Sequence, residues 1–98
     1  MSLPTSFLPE AEDDIEAAFT WYEGQAVGLG ERFVEALHEV IYRICEHPQI
    51  YGLFHKDIRS APLKRFPYVV YYRDRQVDVL IVAVQHGRRS FRAWRKRL

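Results

Sequence analysis

The sequence predicts an α+β domain of order β-α-α-β-β-β, in which a helical hairpin packs on a small antiparallel sheet. Apolar residues recur every three or four positions up to residue 47, which is typical of amphipathic helices. After residue 55 the pattern changes to the alternating and continuous apolar runs of β-strands. The length of 98 residues suits one domain, residues 1–98, and 48% hydrophobic residues can fill one core.

The first half of the chain predicts one short strand and two helices. At most residues 5–8 form the strand, and Pro9 suits the first helical turn, where its missing N–H is not needed. Four acidic residues then complement the positive end of the helix dipole: Glu10, Glu12, Asp13 and Asp14. The two apolar stripes are Ala11, Ile15, Ala18, Phe19 and Tyr22, and then Leu29, Phe33, Ala36, Leu37, Val40, Ile41 and Ile44. Glycines separate the stripes, and Pro48 ends the second helix because it pushes His47 out of the helical region.

The second half predicts three strands. Residues 58–65 are expected to form an edge strand, where Pro62 is tolerated. Residues 68–72 are rich in aromatic and β-branched side chains, and residues 77–84 are apolar at both parities. The last run is therefore expected to form a central strand that is covered on both faces.

Charge is divided unevenly between the two halves. Residues 1–55 carry two basic and ten acidic residues, a net −8, whereas residues 56–98 carry twelve basic and three acidic residues, a net +9. No acidic residue follows Asp78. This asymmetry indicates an anionic partner for the second half, either nucleic acid or an acidic protein segment. Neutralisation of one half by the other within a single fold would explain it equally well.

The sequence also predicts the compartment of the protein. The longest apolar run, residues 77–84, is too short to span a bilayer, and the N-terminus lacks the pattern of a signal peptide. The one cysteine, Cys45, cannot form an internal disulfide, which fits a reducing environment. We therefore expect a cytoplasmic protein that does not associate with membranes.

Residues 88–97, here called the basic end, contain Arg88, Arg89, Arg92, Arg95, Lys96 and Arg97. Few residues outside it carry recognisable chemistry. The four histidines lack the spacing of zinc ligands, so neither a metal nor another cofactor is expected. His86 follows the last predicted strand and precedes two arginines, where it acts as an acid or base or caps the strand end by hydrogen bonding. The capping interpretation is favoured. Cys45 is interpreted as a core or boundary residue rather than a nucleophile.

Arginines and aromatic residues alternate at the C-terminus. Phe91, Trp94 and Leu98 recur at helical spacing, so they either stack on bases, anchor in a protein partner, or dock a short terminal helix. Arg65 and Arg73 either extend this basic surface over neighbouring strands or are solvated charges that discourage pairing between sheets.

Four segments, one of them in two parts, occur in the order found in a known protein family. They are residues 9–15 (PEAEDDI), 28–33 (GLGERF), 65–68 (RFPY) with 71–73 (YYR), and 86–89 (HGRR). Over about residues 6–92 the chain closely resembles the ParE branch of the ParE/RelE toxin superfamily. These are the toxins of type II toxin–antitoxin modules, often called plasmid stabilisation proteins. The resemblance implies the RelE/ParE-like toxin fold, which agrees with the predicted order of elements.

The resemblance implies one of two activities. ParE-type members inhibit DNA gyrase by binding, whereas RelE-type members are ribosome-dependent endoribonucleases that cut mRNA. A third alternative is an inactive toxin fold that only binds its antitoxin. The shared partner is an acidic antitoxin, ParD-like for a ParE toxin, and we expect the toxin to self-associate when the antitoxin is absent. The favoured interpretation is a gyrase inhibitor, which is a binding protein rather than an enzyme.

The resemblance also indicates which residues act. It places the basic residues of RelE-type cleavage at or near Ser60, Pro62 and Val69, none of which is basic. Only Arg89 matches, which leaves Arg89 and His86 as the candidate catalytic residues. The residues expected to bind the target are Arg65, Arg73, Arg88, Arg89, Arg92 and Trp94. We expect this basic end to lie beside the last strand.

Overall fold

The computed structural model describes residues 2–98, in which two helices pack on one face of a five-stranded sheet. The elements are β1 (Thr5–Phe7), α1 (Pro9–Gln25), α2 (Leu29–Glu46), β2 (Leu53–His55), β3 (Ile58–Pro62), β4 (Tyr68–Asp74) and β5 (Val79–His86). Two short 3₁₀ turns follow, Phe91–Ala93 and Arg95–Arg97. The strand order is β1-β5-β4-β3-β2, which confirms the predicted α+β class.

The sheet is mixed, because its first strand runs parallel to its last. Thr5 pairs with Val79 and Phe7 with Ile81 in parallel register, while the other three strand pairs are antiparallel. The backbone bonds on either side of this pair, Val79 N–H to Pro4 O and Leu8 N–H to Ile81 O, fix β1 against β5. The sequence predicted an antiparallel sheet because it gave no sign of where the first strand inserts.

The helical hairpin forms as predicted, and its connection is held by a side chain of α1. Gly28 occupies the N-cap of α2 with φ 87°, a conformation that glycine adopts without strain. The Glu23 carboxylate accepts hydrogen bonds from the Gly28 N–H (2.8 Å) and the Gly30 N–H (2.9 Å). It thereby satisfies two N–H groups that helix starts leave unpaired. A Cβ on Gly30 would lie 2.9 Å from the Phe19 ring, so this glycine lets the helices approach.

Two strand assignments from the sequence are wrong. A short strand that was not predicted, β2, pairs with β3, so β3 is internal and not the edge. The last strand was expected over residues 77–84 but spans Val79–His86. Val77 belongs to the turn after β4 and is 78% exposed. The predicted placement of the last strand between neighbours is confirmed, because β5 lies between β1 and β4.

Side chains are buried on both faces of the sheet. The helical face includes Phe33, Leu37 and Ile44 of α2 packed with Tyr72 and Ile81. The second face carries a smaller cluster of Ile58, Tyr71, Val82, Ala83 and Trp94. No helix among residues 2–98 combines the length and apolar character needed to cross a membrane.

Candidate target-binding surface

The arginines of the basic end begin at a tight turn after β5. The His86 Nδ1 atom accepts a hydrogen bond from the Arg88 N–H at 3.1 Å, and the His86 carbonyl accepts one from the Arg89 N–H at 2.9 Å. These bonds match the capping interpretation of His86. They leave Arg88 and Arg89 exposed at the end of the sheet.

Arg65 lies at the same end of the sheet, in the connection between β3 and β4. The Gly87 N–H donates to the Pro67 carbonyl at 2.7 Å, which joins this connection to the turn that carries Arg88. Burial raises the pKa of the neighbouring Tyr68 hydroxyl and the Asp14 carboxylate adds to the rise, while the Arg89 guanidinium opposes it. Arg65, Arg88 and Arg89 therefore share one end of the molecule.

Arg73 lies at the other end of β4. Its Nε atom is 2.8 Å from Oδ2 of Asp57. Arg73 lies five positions after Tyr68, the first residue of the strand, which corresponds to about 17 Å at the usual rise per residue. Arg73 therefore does not join the other arginines, and its partner is an acid of this chain.

Residues 91–97, here called the strap, cross the second face of the sheet. The Phe91 ring lies 4.7 Å from the His55 ring of β2, and the Trp94 ring lies 4.4 Å from the Tyr71 ring of β4. Arg97 Nη1 reaches the Val82 carbonyl of β5 at 3.1 Å. The predicted position beside the last strand therefore describes only part of this segment, because Trp94 and Arg97 contact β5 while Phe91 and Trp94 also lie across β2 and β4.

Trp94 is buried by this arrangement. It is 2% exposed, so it offers no surface to a partner. The observed packing matches the interpretation in which Phe91 and Trp94 dock a terminal segment, although that segment consists of 3₁₀ turns rather than a helix. Arg92 stays exposed within the strap.

The sequence did not predict the ion pair between Asp14 and Arg97, which holds the end of the strap. The Asp14 carboxylate accepts from Arg97 Nη1 (2.6 Å) and Nη2 (2.9 Å) and from the Val84 N–H (3.0 Å). The hydrogen bonds from Arg97 to Asp14 raise the pKa of the guanidinium above its ordinary value. The signal for Asp14 was its spacing, since it follows Ala11 by three residues and precedes Ala18 by four, on the buried side of α1.

The remaining candidates of the sequence carry no chemistry of this kind. Cys45 is buried, with Sγ 3.1 Å from Oγ1 of Thr5, as expected of a core residue. Within residues 2–98, histidine, cysteine and acidic side chains form no group of three that could hold a metal ion.

The positions implied for RelE-type cleavage lie on two adjacent strands. Ser60 is paired with Tyr71 and Pro62 with Val69, so all four side chains occupy the second face of the sheet. The buried strap residue Trp94 packs on this face against Tyr71. Ser60, Pro62 and Val69 supply neither a base nor a cation there.

Comparisons with known proteins place the chain first in a fold class. The structure is similar to a chain titled "Chromosomal ParDE TA system from P. aeruginosa", with a TM-score of 0.73 and 17% sequence identity. The match covers 87% of this chain and 96% of that chain, and at this identity it shows the shared ParE/RelE-like fold. No curated protein matches the sequence.

The family follows from a match to the sequence. The model of the family described as "ParE toxin of type II toxin-antitoxin system, parDE" matches residues 6–91. The chain therefore belongs to the ParE toxin family, and the resemblance seen in the four sequence segments is confirmed.

Proposed function

We propose that the chain is a ParE toxin that inhibits DNA gyrase by binding, using the exposed arginines of its basic end. The observation that carries this proposal is the position of Arg88, Arg89 and Arg92. All three are exposed, and none takes part in the ion pairs found within residues 2–98. Cations that the fold leaves unneutralised are available to an anionic surface of a partner.

Binding rather than catalysis is supported by the residues at the positions implied for RelE-type cleavage, because Ser60, Pro62 and Val69 are not basic. General acid–base cleavage of RNA requires groups that move protons and stabilise a charged phosphate. Of the positions implied for such a site, only Arg89 is basic, and His86 already uses Nδ1 to accept the Arg88 N–H. A protein with this surface can still hold an anionic partner in place.

An acidic, ParD-like antitoxin is the proposed second partner. Its acidic segment would compete for the same arginines, so that neutralisation and toxicity share residues. Apolar side chains beside the strap would add contact area, because Leu53 and Phe54 on β2 are 63% and 43% exposed and the Phe54 ring lies 5.4 Å from the Phe91 ring. We expect the chain to self-associate through this apolar surface when the antitoxin is absent.

The test compares two triple variants of equal charge. Arg88, Arg89 and Arg92 are changed to alanine in one, and Arg32, Arg43 and Lys56, which are exposed outside the β3–β4 connection and the turn after β5, are changed to alanine in the control. Each purified chain is added to gyrase with relaxed DNA, and separately to translating ribosomes. We expect the parent and the control to inhibit supercoiling, and the basic-end variant to inhibit it less.

Three results would contradict the proposal. Equal inhibition by both variants would remove the basic end from the mechanism. Cleavage of mRNA on ribosomes with gyrase unaffected would establish the RelE-type activity instead. An absence of both effects, combined with tight binding of a ParD-like antitoxin, would show a toxin fold that only binds its antitoxin.

A further inference from the structure

We propose that Asp14 and Arg97 form a latch that holds the strap across the sheet and thereby positions the target-binding arginines. This inference rests on the proposed function, since it assigns Asp14 and Arg97 as positioning residues for the surface described there. Neither side chain is offered to a partner, because Asp14 is 10% exposed and Arg97 is 15% exposed.

The latch occupies a defect in the hydrogen bonding of β5. β1 ends at Phe7, opposite Ile81, so the edge of β5 beyond that point has no neighbouring strand. The pairing with β4 also shifts there, from Tyr71–Ala83 to Tyr72–Ile81, and leaves Val82 as an extra residue in a bulge. Backbone groups of the bulge point to the open edge and require partners.

The two side chains of the latch satisfy these backbone groups. Asp14 of α1 accepts the Val84 N–H at 3.0 Å, and Arg97 donates to the Val82 carbonyl at 3.1 Å. Two further hydrogen bonds join the carboxylate to the guanidinium in a bidentate arrangement. One ion pair therefore ties together the first helix, the last strand and the C-terminal residues.

The strap needs this anchor because its own structure is weak. Its 3₁₀ turns are three residues each, a length at which the few hydrogen bonds do not sustain order alone. Trp94 anchors the middle of the strap, but its indole Nε1–H is buried without an acceptor among residues 2–98, which makes this docking less favourable. Arg97 supplies the directional contact that Trp94 lacks.

The geometry of the strap fits a tether that is fixed at both ends. From β2 to β5 the strap crosses three strand spacings, about 14 Å. The six steps from Phe91 to Arg97 cover about 12 Å at the 3₁₀ rise, so the backbone spans most of this width and the Arg97 side chain completes the contact to β5. Arg92 lies within the strap, and Arg88 and Arg89 lie in the turn that leads into it. Release of Arg97 would let these arginines move apart.

The test measures the order of the strap separately from function. Amide hydrogen exchange is followed at Ala93, Trp94 and Arg97, whose N–H groups donate to the carbonyls three residues earlier. It is measured in the parent and in Asp14→Asn, Arg97→Ala and Arg95→Ala. Arg95 is exposed and lies in the same turn, so it is the matched control. We expect exchange at these amides to rise about 100-fold in the two latch variants, as for loss of a buried ion pair, and to be unchanged in the control.

A double variant tests whether the two residues act as one unit. Asp14→Asn combined with Arg97→Ala is expected to loosen the strap by less than the sum of the two single changes, because both remove the same ion pair. Additive effects on exchange would overturn the latch. Protection of the α2 amides should persist in every variant. Global unfolding of both single variants would also overturn it, because the pair would then hold the whole domain rather than the strap.

The functional readout is the affinity for gyrase, in which Asp14→Asn is the decisive variant. This change removes a negative charge, so simple electrostatics would leave binding to an anionic surface unchanged or stronger. Loss of positioning predicts weaker binding instead, with a dissociation constant about tenfold higher. A loosened strap with unchanged affinity would overturn the positioning role. If the parent chain does not bind gyrase at all, the proposed function fails while the exchange data still decide whether the latch exists.

Discussion

Replacement of Ile81 tests the placement of β5 in the interior of the sheet. Ile81 is fully buried on the helical face, between Phe7 of β1 and Tyr72 of β4. Ile81→Val should lower the free energy of unfolding by about 0.5–1.5 kcal/mol, and Ile81→Ala by about 2–5 kcal/mol, because a larger cavity remains. Ile81→Asp should cost more than the alanine variant, since a carboxylate would be buried without a partner.

Urea titrations followed by circular dichroism measure this series. A domain of this size is stable by about 5–15 kcal/mol, so Ile81→Asp should unfold far more readily than the parent. Val77→Asp is the control, because Val77 is in the turn before β5 and is 78% exposed. It should change stability by no more than about 0.5 kcal/mol. Near-parental stability of Ile81→Asp, or a large loss in Val77→Asp, would refute the burial of β5 described here.

Three further predictions concern pH and the helical hairpin. Burial raises the pKa of Tyr72 to about 12, so stability present below pH 10 should be lost between about pH 10 and 12 in thermal melts, and Tyr72→Phe should reduce that loss. A hydrogen bond from Arg75, and a second one from the Ser6 hydroxyl, lower the pKa of Asp78 from 3.8 to about 2. The stability that Asp78 contributes above pH 4 should therefore be lost as the pH falls towards 2, and Asp78→Asn should flatten this dependence in acid titrations. Gly30→Ala should destabilise by about 1–3 kcal/mol because its Cβ meets an aromatic ring of α1 at 2.9 Å, whereas Gly24→Ala, with open space around it, should not lower the melting temperature.

The helices were predictable because their burial follows a single local period. Phe33, Leu37, Val40 and Ile44 recur at the spacing of one helix face, and all are buried against the sheet. The strands were less predictable, because pairing joins residues that are far apart in sequence. β2 has only three residues, and no local pattern showed that Leu53–His55 would pair with β3.

The sequence predicted that positive charges cluster at the basic end, but it did not predict which of these side chains are exposed. The sequence placed Arg88, Arg92 and Arg97 in the same basic end without distinguishing them. In the structure Arg88 and Arg92 are exposed, whereas Arg97 forms an ion pair with Asp14. That pair spans 83 residues, and the bulge in β5 that requires it has no local signature. Trp94 shows the same limit, since helical spacing cannot decide whether an aromatic side chain faces a partner or the chain's own sheet.

Equilibrium binding of the purified chain to DNA gyrase, measured over a range of salt concentrations, tests most directly whether this ParE toxin acts through its basic end. The parent should bind more weakly as salt increases, because exposed charge contacts are screened. Replacement of Arg88, Arg89 and Arg92 by alanine should weaken binding by about 1–3 kcal/mol and flatten its salt dependence. Binding by this variant with the parent's affinity and salt dependence would contradict the proposal.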